Sequence, residues 1–514
     1  MANVLFITTD QQHYLAMGYR NPEVRTPNLD RLVEQGTTFH RAYTVNPTCT
    51  PTRASWLTGT YPSQHGAYSL GTKLMEDRTT VGEHFQAGGF RTALVGKAHF
   101  QPLLGTDEFP SLEAYPRLHD LDFWREFTGP FYGFERVELA RNHTDESHVG
   151  QHYAIWMEEK GLANWRDYFR PNSLSQTVAG DPLTESPHTS PGPGEAWGLA
   201  AEYHYNNWIA ERTNALLEAY AHASEPFFLW ASFFDPHPAY MVPEPYASMY
   251  DPDEVTVPEH RDGEFDDKPP YFRKALEEHP DFSEFLEEEG NAIHGAGSHR
   301  RSRQARAKNI ATMYGMMTML DEAIGRILAK VDELGLAPQT LVCFTTDHGD
   351  FLGQHGLTKK AIHHYEDLIR VPLVVRQPGV IPSGQVSESL QSTVDLPQTF
   401  LSMAGLPVPR EMTGVDESPV WRGEAETIRR HVVVENQHQP TTMNMRTLVT
   451  SGHKLTVHYG REYGELYDLV ADPGEYVNLW DRPEADELKS RLLLEFLYAE
   501  MEKAVLPMPR ISVA

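Results

Sequence analysis

Short apolar runs alternate with amphipathic segments along the first hundred residues. The run from Val4 to Thr8 is apolar and rich in β-forming residues, and it leads directly to Asp10. Apolar residues at helical spacing follow, and Gly36 closes this predicted helix. A second helix, Thr79 to Ala87, precedes a strand from Phe90 to Val95. Strands that alternate with helices predict a parallel sheet with helices on both faces.

The same alternation returns after residue 200. A helix is predicted from Ala200 to Ala221, followed by the strand Phe227 to Phe234, whose unbroken hydrophobicity is typical of a buried parallel strand. Apolar residues at three- and four-residue spacing then predict a long helix through Ile310 to Val331, which ends at Gly335. The next predicted strand is Thr340 to Thr346.

The stretch between these two regions, from about Pro102 to Pro193, is rich in aromatic residues, proline and polar residues and has weak periodicity. It predicts long excursions from the sheet, which either shape a substrate pocket or cover the surface. The aromatic residues Phe123, Trp124 and Trp156 permit stacking on a substrate ring.

The pattern near the C-terminus is different. Short strands, His431 to Glu435 and His453 to Tyr459, are followed by a final helix from Glu484 to Lys503. We therefore predict an α/β fold, with a mostly parallel central sheet flanked by helices over residues 1–430 and a smaller α+β subdomain over residues 431–514.

Composition narrows the class of protein. The 514 residues are 40% hydrophobic and 23% charged, and no apolar run approaches the ~20 residues of a membrane span. No basic lead precedes the first strand, and Cys49 and Cys343 are the two cysteines, so we expect a cytoplasmic protein in a reducing compartment. The formal net charge of −28 argues against nucleic acid and anionic membranes as partners. A homo-oligomer is left open.

Two predicted strands end in residues suited to a metal. Asp10 and Gln11 follow the first strand, and Asp347 and His348 follow the strand from Leu341. Functional groups gather beyond the carboxyl ends of strands in open α/β sheets, so these side chains are expected to converge. A single Asp in such a position is more often a turn or a helix cap. Together they form an oxygen-rich set with one imidazole, which suits Ca²⁺, Mg²⁺ or Mn²⁺.

Cys49 lies in the motif Cys49-x-Pro51-x-Arg53. Taken alone, such a cysteine is more often a small apolar residue before a turn. Further motifs stand in this order: Tyr61-Pro62-Ser63-Gln64-His65-Gly66, Gly96-Lys97-Ala98-His99, Asp235-Pro236-His237-Pro238, Asp347-His348-Gly349-Asp350 with Lys360, Arg370-Val371-Pro372-Leu373, and Glu465-Leu466-Tyr467-Asp468-Leu469. The chain resembles the type I sulfatases of the alkaline-phosphatase-like superfamily in these motifs and in their order.

That resemblance implies two cofactors. A formylglycine-generating enzyme would oxidise Cys49 to Cα-formylglycine, whose hydrate is the nucleophile. One divalent cation would be held by Asp10, Gln11, Asp347 and His348, with the modified Cys49 as a further ligand. Many sulfatases have Asp and Asn where Gln11 and His348 stand. The Gln and His pair of this chain resembles a branch of the family that includes phosphonate monoester hydrolases. This softer ligand set shifts the expectation from Ca²⁺ toward Mn²⁺, and both rank above Mg²⁺.

The resemblance also implies roles for cationic residues around Cys49. Arg53 would bind and orient the hydrate, and Lys97 and His99, two apart on an extended segment, would face the same side. His237 or Lys360 would protonate the leaving alcohol. His99 would then deprotonate the second hydroxyl, which expels sulfate and regenerates the aldehyde.

Three functions are compatible with these residues. The first is hydrolysis of an aryl, sugar or small alkyl sulfate, which the Gly-Lys-x-His motif at Lys97 and His99 favours. The second is hydrolysis of phosphonate monoesters or phosphodiesters with the same nucleophile. The third is a non-catalytic anion-binding relic in which Cys49 is never converted. The segment His363-His364-Tyr365 is a further candidate for substrate contact, whereas His65 is expected to be structural.

Overall fold

The computed structural model describes residues 2–141, 149–169, 194–277, 281–285, 287, 301–360, 362–438 and 441–512. Within these ranges the strands are β1 Asn3–Thr9, β2 Thr37–Tyr43, β3 Arg91–Gly96, β4 Arg136–Leu139, β5 Phe227–Ser232, β6 Thr340–Thr346, β7 Phe351–Leu352, β8 Thr358–Lys359, β9 Arg370–Val371, β10 Leu373–Arg376, β11 Gln385–Ser392, β12 Val432–His438, β13 Met443–Val449, β14 His453–His458 and β15 Gly464–Asp468. The helices are Pro27–Gln35, Cys49–Thr58, Pro62–His65, Val81–Ala87, Leu121–Glu126, Gln151–Glu159, Tyr205–Ala221, Pro270–Lys274, Arg303–Glu333, Glu366–Ile369, Leu396–Met403, Ser418–Trp421 and Asp486–Glu502.

Nine strands of the described chain form the main sheet, in the order β11-β2-β10-β6-β1-β5-β3-β4 with β9 paired to β2. The pairs β6–β1, β1–β5, β5–β3, β3–β4 and β11–β2 are parallel, whereas β9 and β10 run antiparallel to their neighbours. The predicted mostly parallel α/β sheet is confirmed.

The side chains of β1 divide between two hydrophobic cores. Leu5 and Ile7 pack on the face covered by the helices Tyr205–Ala221 and Arg303–Glu333. Val4 and Phe6 point the other way and share a core with residues of the helix Cys49–Thr58. Successive side chains of a strand alternate between the two faces of a sheet, so a strand covered on both faces is apolar throughout.

A four-stranded antiparallel sheet follows, in the order β12-β13-β14-β15. Leu448 of β13, Leu455 of β14 and Leu466 of β15 share a core with Leu492 and Phe496 of the helix Asp486–Glu502. The pattern of a smaller C-terminal α+β unit is therefore present. Among the described residues, no helix is both long enough and apolar enough to cross a membrane.

Several element boundaries differ from those predicted. The helix expected from Ala200 begins at Tyr205, after a 3₁₀ turn at Ala201–Tyr203. Strand β5 ends at Ser232 rather than Phe234. Strand β3 ends at Gly96, and His99 has a left-handed backbone with φ of 61°, so the segment that carries it is not extended.

Candidate active site

The carboxyl ends of four neighbouring strands bring the candidate residues to one edge of the main sheet. Asp10 and Gln11 follow β1, and Asp347 and His348 follow β6, its parallel neighbour. Lys97 follows β3, while Ser232 is the last residue of β5. This edge is where open α/β sheets place functional groups.

Cys49 is the first residue of the helix Cys49–Thr58, whose residues are all buried. The loop before this helix is fixed by Thr44, which donates to the backbone oxygen of Asp347 over 2.6 Å. The N-terminus of a helix carries partial positive charge, which favours an anionic or oxygen-rich group at Cys49.

The side chains of Asp10, Cys49, Asp347 and His348 form one buried cluster. One ligand atom from each lies within 4.8 Å of the others. Cys49 Sγ is 3.6 Å from Oδ1 of Asp10 and 3.3 Å from Nε2 of His348. His348 Nδ1 lies 2.8 Å from the backbone oxygen of Gly349. A proton on Nδ1 satisfies this contact and leaves the lone pair of Nε2 facing the cluster, as in metal-bound imidazoles.

Gln11 lies beside this cluster. Its Nε2 donates to Oδ1 of Asp350 over 2.8 Å, and its backbone N–H donates to Oδ1 of Asp347 over 3.0 Å. Its Oε1 is buried and has no hydrogen-bond partner among the residues described. A buried carbonyl oxygen without a donor is a costly arrangement that a cation relieves. Two carboxylates, an amide oxygen and one imidazole therefore fit a divalent ion.

Arg53 braces this cluster from the next turn of the same helix. Its Nε donates to Oδ2 of Asp347 over 2.9 Å, and Nη2 lies 3.5 Å from Oδ2 of Asp10. Nη1 donates to the backbone oxygen of Lys97 and to Oγ of Ser232. The guanidinium thus links the ends of four strands and holds the two carboxylates in fixed positions.

Asp10 also forms a buried ion pair with Nζ of Lys97. Burial alone would raise the pKa of the Asp10 carboxyl, but the charges of Lys97, His237 and Arg53 outweigh burial and hold that pKa well below its usual range. Asp10 is therefore ionised at neutral pH, as a metal ligand must be.

Lys360 and His237 lie on another side of Cys49. Nζ of Lys360 is 3.4 Å from Cys49 Sγ and 3.2 Å from Nε2 of His237. Burial would lower the pKa of Lys360, but negative charge on Cys49 and Asp10 raises that pKa above its ordinary value. The ammonium therefore keeps its proton at neutral pH and can donate it.

His99 lines a cavity of about 480 Å³ that opens beside Lys360. The residues lining the cavity are Gln11, Leu70, Gly71, His99, Leu103, Arg141, His237, Pro238, Lys359 and Lys360. Nδ1 of His99 is buried and has no hydrogen-bond partner within the described chain. Burial, reinforced by the charges of Arg141 and Lys97, holds the pKa of His99 well below its usual value, so the ring is neutral.

The structure thus brings together every residue that the sequence proposed for catalysis or metal binding. It separates the segment His363-His364-Tyr365 from the cavity, because these side chains pack elsewhere. His364 lies 2.7 Å from Oγ1 of Thr447, and His363 packs edge-on against the ring of Phe272. His65 is buried 3.0 Å from Oγ of Ser55, as expected for a structural residue.

Three residues of the site were missed by the sequence. Asp350 orients the amide of Gln11, and Ser232 accepts from Arg53. Arg141 follows β4 and lines the cavity. The strand before it, Arg136–Leu139, alternates polar and apolar residues, and that signal could have indicated a functional position at its carboxyl end.

Comparison with known proteins identifies the family. The model of the Sulfatase family matches residues 2–406, and that of the N-sulphoglucosamine sulphohydrolase C-terminal family matches residues 353–502. The chain belongs to the sulfatase family and is a sulfatase.

Relatives extend over nearly the whole chain. The multifunctional alkaline phosphatase superfamily protein PehA of Trinickia caryophylli is 28% identical, covering 94% of this chain and 91% of its own. An arylsulfatase of Clostridium perfringens is 26% identical, covering 97% and 94%. Among solved structures, the phosphonate monoester hydrolase from Silicibacter pomeroyi has a TM-score of 0.79 at 23% identity, over 100% of this chain and 98% of its own. The last similarity concerns the fold.

Proposed function

We propose that this sulfatase hydrolyses a sulfate monoester with a nucleophile made by oxidation of Cys49. The observation that carries the proposal is the position of Cys49 Sγ, which lies 3.3 Å from His348 in the metal-type cluster and 3.4 Å from the ammonium of Lys360. A group at this position is flanked by ligands for a cation on one side and by a proton donor on another. Hydrolysis of a sulfate ester needs both, since negative charge develops on the sulfuryl oxygens and on the leaving oxygen.

A divalent cation would be held by Asp10, Gln11, Asp347 and His348, with the oxidised Cys49 as a further ligand. When bound, it supplies Lewis-acid stabilisation of negative charge and lowers the pKa of a nearby hydroxyl. The amide and the imidazole make this set softer than one of carboxylates alone, which favours Mn²⁺ over Ca²⁺.

The oxidised Cys49 supplies, as a hydrated aldehyde, the two hydroxyls that the reaction uses in turn. Arg53 fixes their position through its helix and neutralises charge beside them. Lys360, paired with His237, gives a proton to the oxygen of the leaving alcohol. His99, neutral in its buried position, takes the proton from the second hydroxyl so that sulfate can leave.

Conversion of Cys49 requires a partner enzyme. Cys49 is fully buried in the folded chain. A formylglycine-generating enzyme therefore acts on this segment before it folds, when the motif from Cys49 to Arg53 is still accessible. Small-molecule sulfate esters are the proposed substrates, and aryl, sugar and small alkyl sulfates are all compatible with a cavity of about 480 Å³ that has Leu70 and Leu103 on its wall.

A second candidate is hydrolysis of phosphonate monoesters or phosphodiesters. The observation that favours it is the pair Gln11 and His348 in the metal cluster, where many sulfatases have Asp and Asn. The Gly-Lys-x-His motif at Lys97 and His99 favours sulfate instead.

Paired substrates distinguish these functions. We expect the purified protein, loaded with Mn²⁺, to hydrolyse phenyl sulfate with a higher kcat/KM than phenyl phenylphosphonate. The reverse order would establish the second candidate. Turnover of neither substrate by protein whose Cys49 is converted would contradict both, and unconverted Cys49 in protein from a host with the modifying enzyme would support a relic.

A further inference from the structure

Arg141 is a buried cation that the proposed mechanism does not use. It lies just beyond β4, at the same edge of the sheet as Lys97, and its relative exposure is 5%. It nevertheless lines the cavity together with His99 and Lys360. Arginine is rarely buried unless it has a partner or a ligand, so its contacts decide its role.

One nitrogen of the Arg141 guanidinium is bound by a buried carboxylate that does not line the cavity. Nη1 donates to Oε2 of Glu113 over 3.1 Å. Glu113 is itself buried, accepts from the backbone N–H of Phe100 over 3.1 Å, and is not among the residues that line the cavity. Nε and Nη2 of Arg141 have no hydrogen-bond partner among the residues that the structure describes. Glu113 thus fixes the orientation of the guanidinium and leaves its Nε and Nη2 donors available at the cavity wall.

The sulfate end of the cavity already has its own cations. Arg53, Lys97 and Lys360 contact the cluster around Cys49 directly. Arg141 makes no hydrogen bond to any member of that cluster within the described chain. Because it lines the cavity but leaves the cluster to the other cations, its donors are available to the part of a substrate that lies in the cavity, which includes the alcohol. Leu70 and Leu103 form apolar surface in the same cavity.

We propose that Arg141 binds a carboxylate on the alcohol portion of the substrate, so that the substrates are small sulfate esters that also carry a carboxylate. This inference rests on the proposed function and adds the substrate class. The planar guanidinium matches a carboxylate with parallel N–H donors, which a lysine ammonium does not. In a chain with net charge −28, a doubly anionic substrate needs such a local cation in order to enter.

The turnover test uses two substrates that differ in one group. meta-Carboxyphenyl sulfate and meta-carbamoylphenyl sulfate have the same shape, but only the first carries the second negative charge. We expect the ratio of their kcat/KM values to fall at least about tenfold in Arg141→Met, the size of a lost charge-assisted hydrogen bond. The carbamoyl substrate reports any loss common to both substrates, such as that from the changed surroundings of His99, and the ratio removes this common loss. An unchanged ratio would overturn the proposal and leave Arg141 as part of a structural ion pair.

Two further variants separate recognition from folding. Arg141→Met leaves Glu113 buried without its cation, so the double variant Glu113→Gln with Arg141→Met removes that penalty and should show the same loss of ratio. Arg125, an exposed residue of the helix Leu121–Glu126, provides the control for net charge. Arg125→Met should keep the wild-type ratio. A similar fall in Arg125→Met would mean that overall charge, not the Arg141 site, selects the carboxylate.

A binding measurement separates failure of this inference from failure of the proposed function. Calorimetry with meta-hydroxybenzoate and meta-hydroxybenzamide needs no turnover. We expect the benzoate to bind wild-type protein at least about tenfold more tightly than Arg141→Met, and the benzamide to bind both alike. If no sulfate ester is hydrolysed but this difference is observed, the anion site stands and the proposed function falls. If sulfates are hydrolysed but the benzoate binds both proteins equally, the inference falls alone.

Discussion

Nζ of Lys360 lies 3.2 Å from Nε2 of His237, and the same ammonium lies 3.4 Å from Cys49 Sγ. The two candidate proton donors therefore lie next to each other beside the nucleophile position. A leaving alcohol that lies next to them can receive a proton as its bond to sulfur breaks.

This arrangement predicts that Lys360→Met slows the hydrolysis of sulfate esters with poor leaving groups more than that of esters with good ones. General acid catalysis contributes about a hundredfold to ten-thousandfold, and only alkoxides of high basicity need it fully. kcat/KM for an alkyl sulfate should fall by such a factor, whereas that for para-nitrophenyl sulfate should fall much less. Equal losses on both substrates would assign Lys360 to sulfate binding and not to proton transfer.

The metal cluster predicts a specific effect of Asp347→Asn. The change removes one carboxylate ligand and the acceptor of Arg53, so bound divalent metal and activity should be lost together. Loss of outer partners of a metal costs about 10- to 100-fold in affinity, and a ligand should cost no less. Elemental analysis after dialysis measures the metal content.

Asp321→Asn is the matched control for that experiment. Asp321 is also buried, but it accepts from the backbone N–H groups of Asn28 and Leu29 at the start of the helix Pro27–Gln35. The Asp321→Asn variant should have a lower free energy of unfolding than wild type and keep its bound metal. Full activity in metal-free Asp347→Asn protein would contradict the assignment of the site.

Much of this site could be predicted from sequence because parallel strands impose it. Apolar runs marked β1 and β6, and the carboxyl ends of adjacent parallel strands lie at one edge, so Asp10 and Asp347 had to be close. Lys97 and His237 were identified from the order of the motifs. The number of residues between them does not indicate their distance in the fold.

The remainder depends on tertiary contacts that no local pattern encodes. Arg141 belongs to a region of weak periodicity, and its role follows from Glu113 behind it. The strands β13 and β15 were not predicted, because whether a short segment forms a strand is decided by the packing of its side chains against the neighbouring strands. His363 and His364 were candidates because they follow Lys360 closely in sequence. In the structure they are buried against Phe272 and Thr447 and do not line the cavity.

Glu417 predicts a pH dependence of stability unrelated to catalysis. Burial, and then repulsion by Asp395, raises the pKa of the Glu417 carboxyl to about 8. Its folded pKa exceeds the unfolded value of about 4.3, so the contribution to stability is full below that value and is lost as pH rises toward 8. Glu417→Gln removes the titration. The variant should gain a few kcal/mol over wild type at about pH 9 and nothing at about pH 4, as measured by urea unfolding. The same difference in the free energy of unfolding between wild type and Glu417→Gln at both pH values would contradict this role of Glu417.

Cys49→Ser tests the need for two hydroxyls. The serine can accept a sulfuryl group, but it has no second hydroxyl with which to expel it. The variant should keep its fold and metal, release one equivalent of phenol in a burst, and then stop with a sulfate ester on the introduced serine. Repeated turnover at the wild-type rate is incompatible with the proposed mechanism.

The proposed mechanism requires that the active protein carries an aldehyde where the gene encodes Cys49. Mass spectrometry of the peptide containing Cys49, from wild-type protein that hydrolyses phenyl sulfate, measures this directly. We expect that one sulfur and two hydrogens are replaced by one oxygen and that the peptide reacts with a hydrazide, with the converted fraction proportional to specific activity across preparations. Fully active protein in which Cys49 remains an unmodified thiol would contradict it.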